Sequence, residues 1–183
     1  MIPVRIETLV MGMIPSPSVI VLRPLADPRD SDTPVSVLPI WIGATEAAAI
    51  ATPLEGISAP RPMTHDLCSS IIDALGGEIS YVEICDVIHT TFFARIHMTR
   101  EDRRFVVDSR PSDAIALALR AGAQIYVDEG VFASASFPYL LAGDIDPAQE
   151  IEDFHSFIEN VNPEDFLYGV DGSKFPEGEE PEK

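Results

Sequence analysis

The stretch SRPSDAIALALRAGAQIYV, residues 109–127, predicts a helix followed at once by a strand. Pro111 suits the first turn of a helix, where a missing backbone N–H costs nothing. Gly122 is a typical helix stop. We therefore expect a helix over 111–121 and a short strand over 124–127 that returns the chain to a sheet.

On either side of this stretch, apolar and polar residues alternate in the manner of half-buried strands. The predicted strands cover residues 2–11, 18–24, 35–42, 78–87, 91–99 and 103–109. Two helices are predicted between them, an alanine-rich one over 44–56 and a second that ends at Leu75. Pro53 lies inside the first, and we expect a kink or an early stop near Ala51.

The order of these elements favours an α+β fold, with a mostly antiparallel sheet and helices packed on it. This domain is expected over residues 1–135. A helical, acidic C-terminal extension is expected over 136–169, with its helix from Pro147 to Asn160. The Pro-, Gly- and Glu-rich tail over 170–183 has the composition of a disordered segment.

An Arg-Pro pair begins both the helix at 111 and the earlier segment RPMTHDL, residues 61–67. In each case an aspartate follows in the first turn, Asp66 or Asp113, where the positive end of the helix dipole stabilises it. The residue before a proline is biased toward an extended conformation, so each arginine can point across the start of its helix. An arginine beside a helix amino terminus is a sound anion site.

Each of these residues also has a purely structural interpretation. Arg-Pro-x-x-Asp can be a helix cap with a local ion pair. His65 can be a general base near neutral pH or a surface residue. Asp108, beside Arg110, can belong to a site or be that arginine's structural partner. Two glutamates, Glu46 and Glu55, could bind a metal together with Asp66 or Asp108, although no spacing in the chain matches a recognised metal motif.

The chain carries a formal net charge of −18, and 13 of its 30 acidic residues lie in residues 144–183. All ten basic residues of 1–143 are arginines. This balance argues against tight nonspecific binding to nucleic acid, but it allows a small arginine-lined cleft for phosphate. No apolar run approaches the length of a membrane span. The two cysteines, Cys68 and Cys85, lie in apolar surroundings and are expected to be reduced thiols in the core of a cytoplasmic protein.

Several motifs together resemble the bifunctional nuclease family, or DNase/RNase domain, over roughly residues 4–132. The motifs are VLPIWIGATEAAAIA (37–51), RPMTHDL (61–67), ALGG (74–77) and DSRPSDAIALALRAGAQIYV (108–127). Residues 146–166 are similar to the C-terminal extension of some bacterial members. One departure is Thr52-Pro53, where members usually have an unbroken Ala/Leu helix.

The resemblance implies a compact α+β domain that forms homo-oligomers and hydrolyses both DNA and RNA. The polar residues in the matching motifs then suggest catalytic roles for His65, Asp66, Asp108 and Asp113, and substrate binding by Arg61 and Arg110. A divalent metal such as Mg²⁺ would suit phosphodiester hydrolysis on general grounds, with no ligands assigned. The alternative is a non-catalytic oligomeric scaffold whose Arg-Pro helix starts are structural or bind a small anion.

Overall fold

The computed structural model describes residues 1–12, 16–26, 35–57 and 59–139, which all lie in one compact unit, 1–141. The predicted helix over 147–160 and the acidic tail over 170–183 lie outside the described residues. For Val35 and Tyr139 the backbone alone is described.

Within these ranges, eight strands form one sheet and four helices accompany it. The strands are β1 (Ile2–Val10), β2 (Ser18–Pro24), β3 (Val35–Ile42), β4 (Glu78–Ile88), β5 (Thr91–Arg100), β6 (Arg103–Ser109), β7 (Gln124–Val127) and β8 (Phe137–Tyr139). The helices are α1 (Ala44–Leu54), α2 (Thr64–Ala74), α3 (Pro111–Ala121) and α4 (Glu129–Ala135). The predicted α+β fold with a mostly antiparallel sheet is confirmed.

The strand order is β6-β5-β4-β7-β1-β2-β3-β8, and β4 with β7 is the parallel pair. A parallel pair needs a crossover connection. Helix α3 belongs to that crossover, since it connects β6 at the sheet edge to β7 beyond β4. The 109–127 stretch therefore places β7 between the two antiparallel parts of the sheet.

Of the four helices in the described ranges, α3 has the most buried residues. Its residues Ala114 to Ala118 are all buried, and Ile115 is fully so. Burying a side chain such as Ile115 or Leu117 stabilises the fold by roughly 2 kcal/mol each. The alanines between them keep the helix surface small, so α3 packs against α1 and α2 as well as against the sheet.

Helix α2 is attached differently, because none of its residues is buried. Its apolar stripe consists of Leu67, Ile71 and Leu75, which are 54%, 50% and 62% exposed. The spacing of Leu67, Ile71, Ala74 and Leu75 predicts that they form the apolar face of the helix, yet this face does not pack on the core. Ile72 is the residue of α2 that contacts the core cluster.

The expected early stop of α1 near Ala51 is wrong, because the helix continues through Pro53 to Leu54. A proline within a helix leaves the carbonyl four residues earlier without its partner, here that of Ala49. The side chain of Arg120 on α3 supplies one, since Nη1 donates to Ala49 O at 3.0 Å. Helical bonding resumes after the proline, where the Glu55 amide donates to Ala51 O at 2.9 Å.

The guanidinium of Arg120 connects helices α1, α2 and α3. Arg120 Nε donates to Asp66 Oδ1 of α2 at 2.6 Å, and Nη1 also donates to Ala116 O of its own helix at 2.8 Å. The Arg120 side chain is only 8% exposed. Arg120 therefore holds the first turn of α2 at a defined position relative to α1 and α3.

We predict that Arg120→Met lowers the free energy of unfolding by about 2–3 kcal/mol, because it leaves the buried Ala49 carbonyl without a partner. The loss should be smaller in a Pro53→Ala background, where the amide of residue 53 can bond to that carbonyl. Urea titrations followed by far-UV circular dichroism measure both values. Equal losses in the two backgrounds would show that the proline and the arginine are not coupled.

Candidate functional site at three helix amino termini

Each of the three packed helices carries an acidic residue at its third position, namely Glu46 in α1, Asp66 in α2 and Asp113 in α3. Carboxylates in a first turn are stabilised by the positive end of the helix dipole. Cross-helix contacts bring these three first turns together. The candidate site is built from the side chains where they meet.

Arg110 is the centre of this arrangement. Its Nε donates to Asp113 Oδ2 at 2.7 Å, Nη2 donates to Asp113 Oδ1 at 3.1 Å, and Nη1 donates to Glu46 Oε1 at 2.9 Å. The backbone of Arg110 is extended, as predicted for a residue before proline, with φ −71° and ψ 148°. Its side chain stays 64% exposed although three of its N–H groups are bound.

Gly43, the residue before α1, gives the Glu46 carboxylate room. A methyl group on residue 43 would collide with Glu46 Oε2. A glycine at residue 43 thus lets the Glu46 carboxylate lie against the start of α1.

His65 joins the cluster through Asp113. The distance between His65 Nε2 and Asp113 Oδ1 is 3.0 Å, and the two side chains are 17% and 31% exposed. Because an ionised carboxylate can only accept, Nε2 carries the hydrogen of this bond. In the neutral imidazole, Nδ1 is then left with a lone pair.

The contacts within the cluster favour the ionised forms of Asp113 and Arg110. Burial alone would raise the pKa of Asp113, but hydrogen bonds from Arg110 and His65 outweigh it, and the pKa lies below its ordinary value. The hydrogen bonds to Asp113 and then to Glu46 raise the pKa of Arg110. Two carboxylates and one guanidinium leave the cluster negative when the imidazole is neutral.

Asp66 lies beside this cluster, but its hydrogen bonds are with residues outside it. Its Oδ2 accepts the Met63 backbone N–H at 2.8 Å, and its Oδ1 accepts from Arg120. These two contacts, the amide first, lower the pKa of Asp66. Asp66 therefore caps α2 and fixes the turn that carries His65.

The other predicted site residues do not join the cluster. Arg61 is exposed ahead of α2, and Asp108 is exposed on β6 opposite Arg95 of β5. Neither makes a hydrogen bond or ion pair within the described ranges. Glu55 caps the carboxyl end of α1, the opposite end from Glu46. Functional roles for Arg61 and Asp108 stay predictions.

Arg120 is the residue that sequence reasoning missed. A signal was present, since Arg120 follows Asp113 by seven residues and so lies on the same face of α3. It is also the only charged residue of α3 after the first turn. An isolated arginine in a buried helix needs hydrogen-bond partners. Arg120 finds them on two other helices, at Ala49 of α1 and Asp66 of α2.

A resident divalent metal does not fit these residues. Within the part of the chain that the structure describes, no group of three or more His, Cys, Asp or Glu side chains could hold one. The carboxylates of Glu46 and Asp113 already share the guanidinium of Arg110.

None of the helices in the described ranges is long and apolar enough to cross a bilayer.

The chain is thus an α+β domain with polar residues gathered at three helix amino termini. The bifunctional nuclease domain model matches residues 29–139. An uncharacterized protein of Mycobacterium tuberculosis strain H37Rv is 43% identical over 136 residues, which is 70% of this chain and 80% of that protein. The chain belongs to the bifunctional nuclease domain family.

Plant relatives are more distant. Bifunctional nuclease 1 of Oryza sativa subsp. indica is 26% identical over 98 residues, 52% of this chain and 30% of the rice protein. Bifunctional nuclease 1 of Arabidopsis thaliana is 23% identical over 130 residues, 69% of this chain and 40% of the plant protein. The chain thus spans less than half the length of these plant proteins.

We predict that Arg110→Met raises the pKa of Asp113 toward its ordinary value of 3.8. A carboxyl group whose pKa is depressed by folding stabilises the protein above the ordinary pKa, and this contribution disappears as the pH falls through the folded value. The difference in unfolding free energy between wild type and variant should therefore be largest near neutral pH. It should disappear as the pH falls below about 4. Carbon-detected NMR titration and urea unfolding from pH 6 to pH 2 measure the two effects.

Arg100→Met is the matched control, since Arg100 is an exposed arginine on β5 outside the cluster. It should leave the titration of Asp113 unchanged. A stability gap for Arg110→Met that is constant across this pH range would contradict the assigned ion pair.

Proposed function

We propose that the chain is a nuclease that hydrolyses phosphodiester bonds of DNA and RNA at the cluster of His65, Asp113, Arg110 and Glu46. The observation that carries this proposal is the 3.0 Å contact between His65 Nε2 and Asp113 Oδ1. A histidine oriented by a carboxylate is a common general base. Support from relatives comes from the plant members of the family, which are named bifunctional nucleases.

In the proposed reaction, His65 Nδ1 takes a proton from a water molecule as the water oxygen bonds to phosphorus. The bond from phosphorus to the leaving oxygen breaks, and that oxygen takes a proton from solvent. Asp113 keeps the imidazole in the tautomer that leaves Nδ1 free, and it stabilises the imidazolium that forms. Asp66 and Arg120 act as positioning residues, because they hold the turn on which His65 lies.

Substrate binding in this proposal falls to the arginines. Arg110 presents an exposed, permanently charged guanidinium, a group that suits phosphate oxygens, while its Nε and Nη2 stay bound to Asp113. Arg61 is exposed just before the amino terminus of α2 and would add a second positive charge. A bound phosphate would compete with Glu46 for Nη1 of Arg110. The bond from Nη1 to Glu46 is the contact that joins Arg110 to helix α1.

A non-catalytic oligomeric module is the second candidate function. It is favoured by one feature, the pairing of Arg110 with both Glu46 and Asp113, which leaves the cluster negative. An anion would then have to displace a carboxylate. In that case the four residues would serve mainly to lock three helices together.

We predict that His65→Gln and Asp113→Asn each lower kcat for single-stranded DNA and RNA at least about 100-fold, the range expected for loss of a general base. His89→Asn is the matched control. It also removes an imidazole, and asparagine tolerates the positive φ of 57° at this exposed turn. Assays of each protein with Mg²⁺ and with EDTA cover both metal conditions.

A rate that is unchanged in both cluster variants would overturn this active site and would indicate a contaminating nuclease. Wild-type protein without cleavage under either condition would favour the non-catalytic module. Circular dichroism spectra of all variants separate a lost base from a lost fold.

We also propose that the protein acts in the cytoplasm. Both cysteines are free thiols, which suits a reducing compartment. The expected core position is wrong for Cys68, which is exposed on α2, a helix without buried residues. Cell fractionation with an antibody to the chain tests this proposal, and recovery from an extracytoplasmic fraction would contradict it.

A further inference from the structure

Strand β6 forms one edge of the sheet. It pairs with β5 on one side, and no strand within the described ranges pairs with its other side. Its central residues Phe105, Val106 and Val107 are 43%, 57% and 44% exposed. An edge strand offers unpaired backbone groups to another strand, and proteins commonly protect or pair such edges.

The hairpin that precedes β6 determines which of its backbone groups face outward. Arg100 and Arg103 are register partners across the turn at Glu101 and Asp102. In a two-residue hairpin the residues that flank the turn form a hydrogen-bonded pair. Pairing alternates along the strand, so Arg104, Val106 and Asp108 direct their N–H and C=O groups away from β5.

We propose that two copies of the chain pair antiparallel through β6 around a two-fold axis at Val106. In this register Arg104 lies opposite Asp108 of the second copy, and both direct their backbone groups at each other. Phe105 lies opposite Val107 of the second copy on the helix-covered side of the sheet. Opposite charges and aromatic pairs with β-branched residues are the cross-strand pairs that stabilise sheets.

The charge pattern of RRFVVDS, residues 103–109, selects this partner and this register. The strand is basic at its start and acidic near its end, so an antiparallel copy of itself is complementary. A shifted register either separates Arg104 from Asp108 of the second copy or places like charges opposite each other. A parallel arrangement aligns arginine with arginine.

Pairing through β6 also changes the surroundings of the helix cluster. β6 spans roughly 20 Å, so Arg103 and Arg104 lie far from Arg110 within one copy. In the pair, Arg103 and Arg104 of the second copy come beside Ser109 and Asp108, immediately before Arg110. If the proposed nuclease function holds, each negative cluster thereby gains positive charge for the substrate's phosphates from the other copy.

The test is the association state of the full chain without substrate, measured by sedimentation equilibrium. Wild type should associate. Arg104→Asp and Asp108→Arg should each weaken association at least about tenfold, because each sets like charges opposite one another. The double variant, Arg104→Asp with Asp108→Arg, should restore it, and Arg100→Asp should leave it unchanged as a control of equal charge.

Covalent capture gives a second readout. Residues that form a hydrogen-bonded antiparallel pair have Cα atoms about 5.5 Å apart, within the range of a disulfide. Val106→Cys, in a Cys68→Ser background, should therefore form a disulfide-linked dimer on mild oxidation. Arg100→Cys in the same background should not.

A monomeric wild type overturns the proposal. So does association that all four charge variants leave unchanged, which would point to another surface such as the Leu67, Ile71 and Leu75 stripe of α2. Neither measurement involves cleavage. Loss of the nuclease proposal would therefore leave this result standing, and the reverse is also true.

Discussion

The arrangement of the helices depends on the buried guanidinium of Arg120. It donates to the carbonyl that Pro53 leaves without a partner in α1, to the capping carboxylate Asp66 of α2, and to Ala116 of its own helix. Burying a cation is costly unless it is paired and hydrogen-bonded, and here both conditions are met. Helix α2 has no buried residue of its own. The bond from Arg120 to Asp66 therefore helps to fix its position, which in most helices depends on a buried apolar face.

The candidate site follows from that anchor. With the first turn of α2 held by Asp66, the adjacent His65 reaches Asp113 on α3, and Arg110 links Asp113 to Glu46 on α1. The result is a preorganised but negative cluster in a chain of net charge −18. A phosphate-handling role for such a cluster needs positive charge from nearby, and the exposed arginines of the β5–β6 hairpin are the nearest concentration of it in the sequence.

Much of the fold was predictable because its signals are local. The strands from β1 to β7 and helices α1 to α3 were predicted nearly at their observed bounds from alternation, prolines and glycine stops. Helix α4 and strand β8 were not, since residues 128–142 show no clear periodicity. The early stop at Ala51 was wrong because a proline's effect on its helix depends on whether some distant group takes the freed carbonyl.

The sequence by itself determined where helices α1 and α3 begin and which acids stand in the first turns of α1, α2 and α3, because capping, proline geometry and the helix dipole act within a few residues. It also placed His65, Asp113 and Arg110 among the candidates. Only the tertiary structure decided the pairing, in which Arg110 binds Glu46 across 64 residues and Arg120 binds Asp66 across 54. Which charges meet depends on how the helices pack against one another, and no local spacing encodes that.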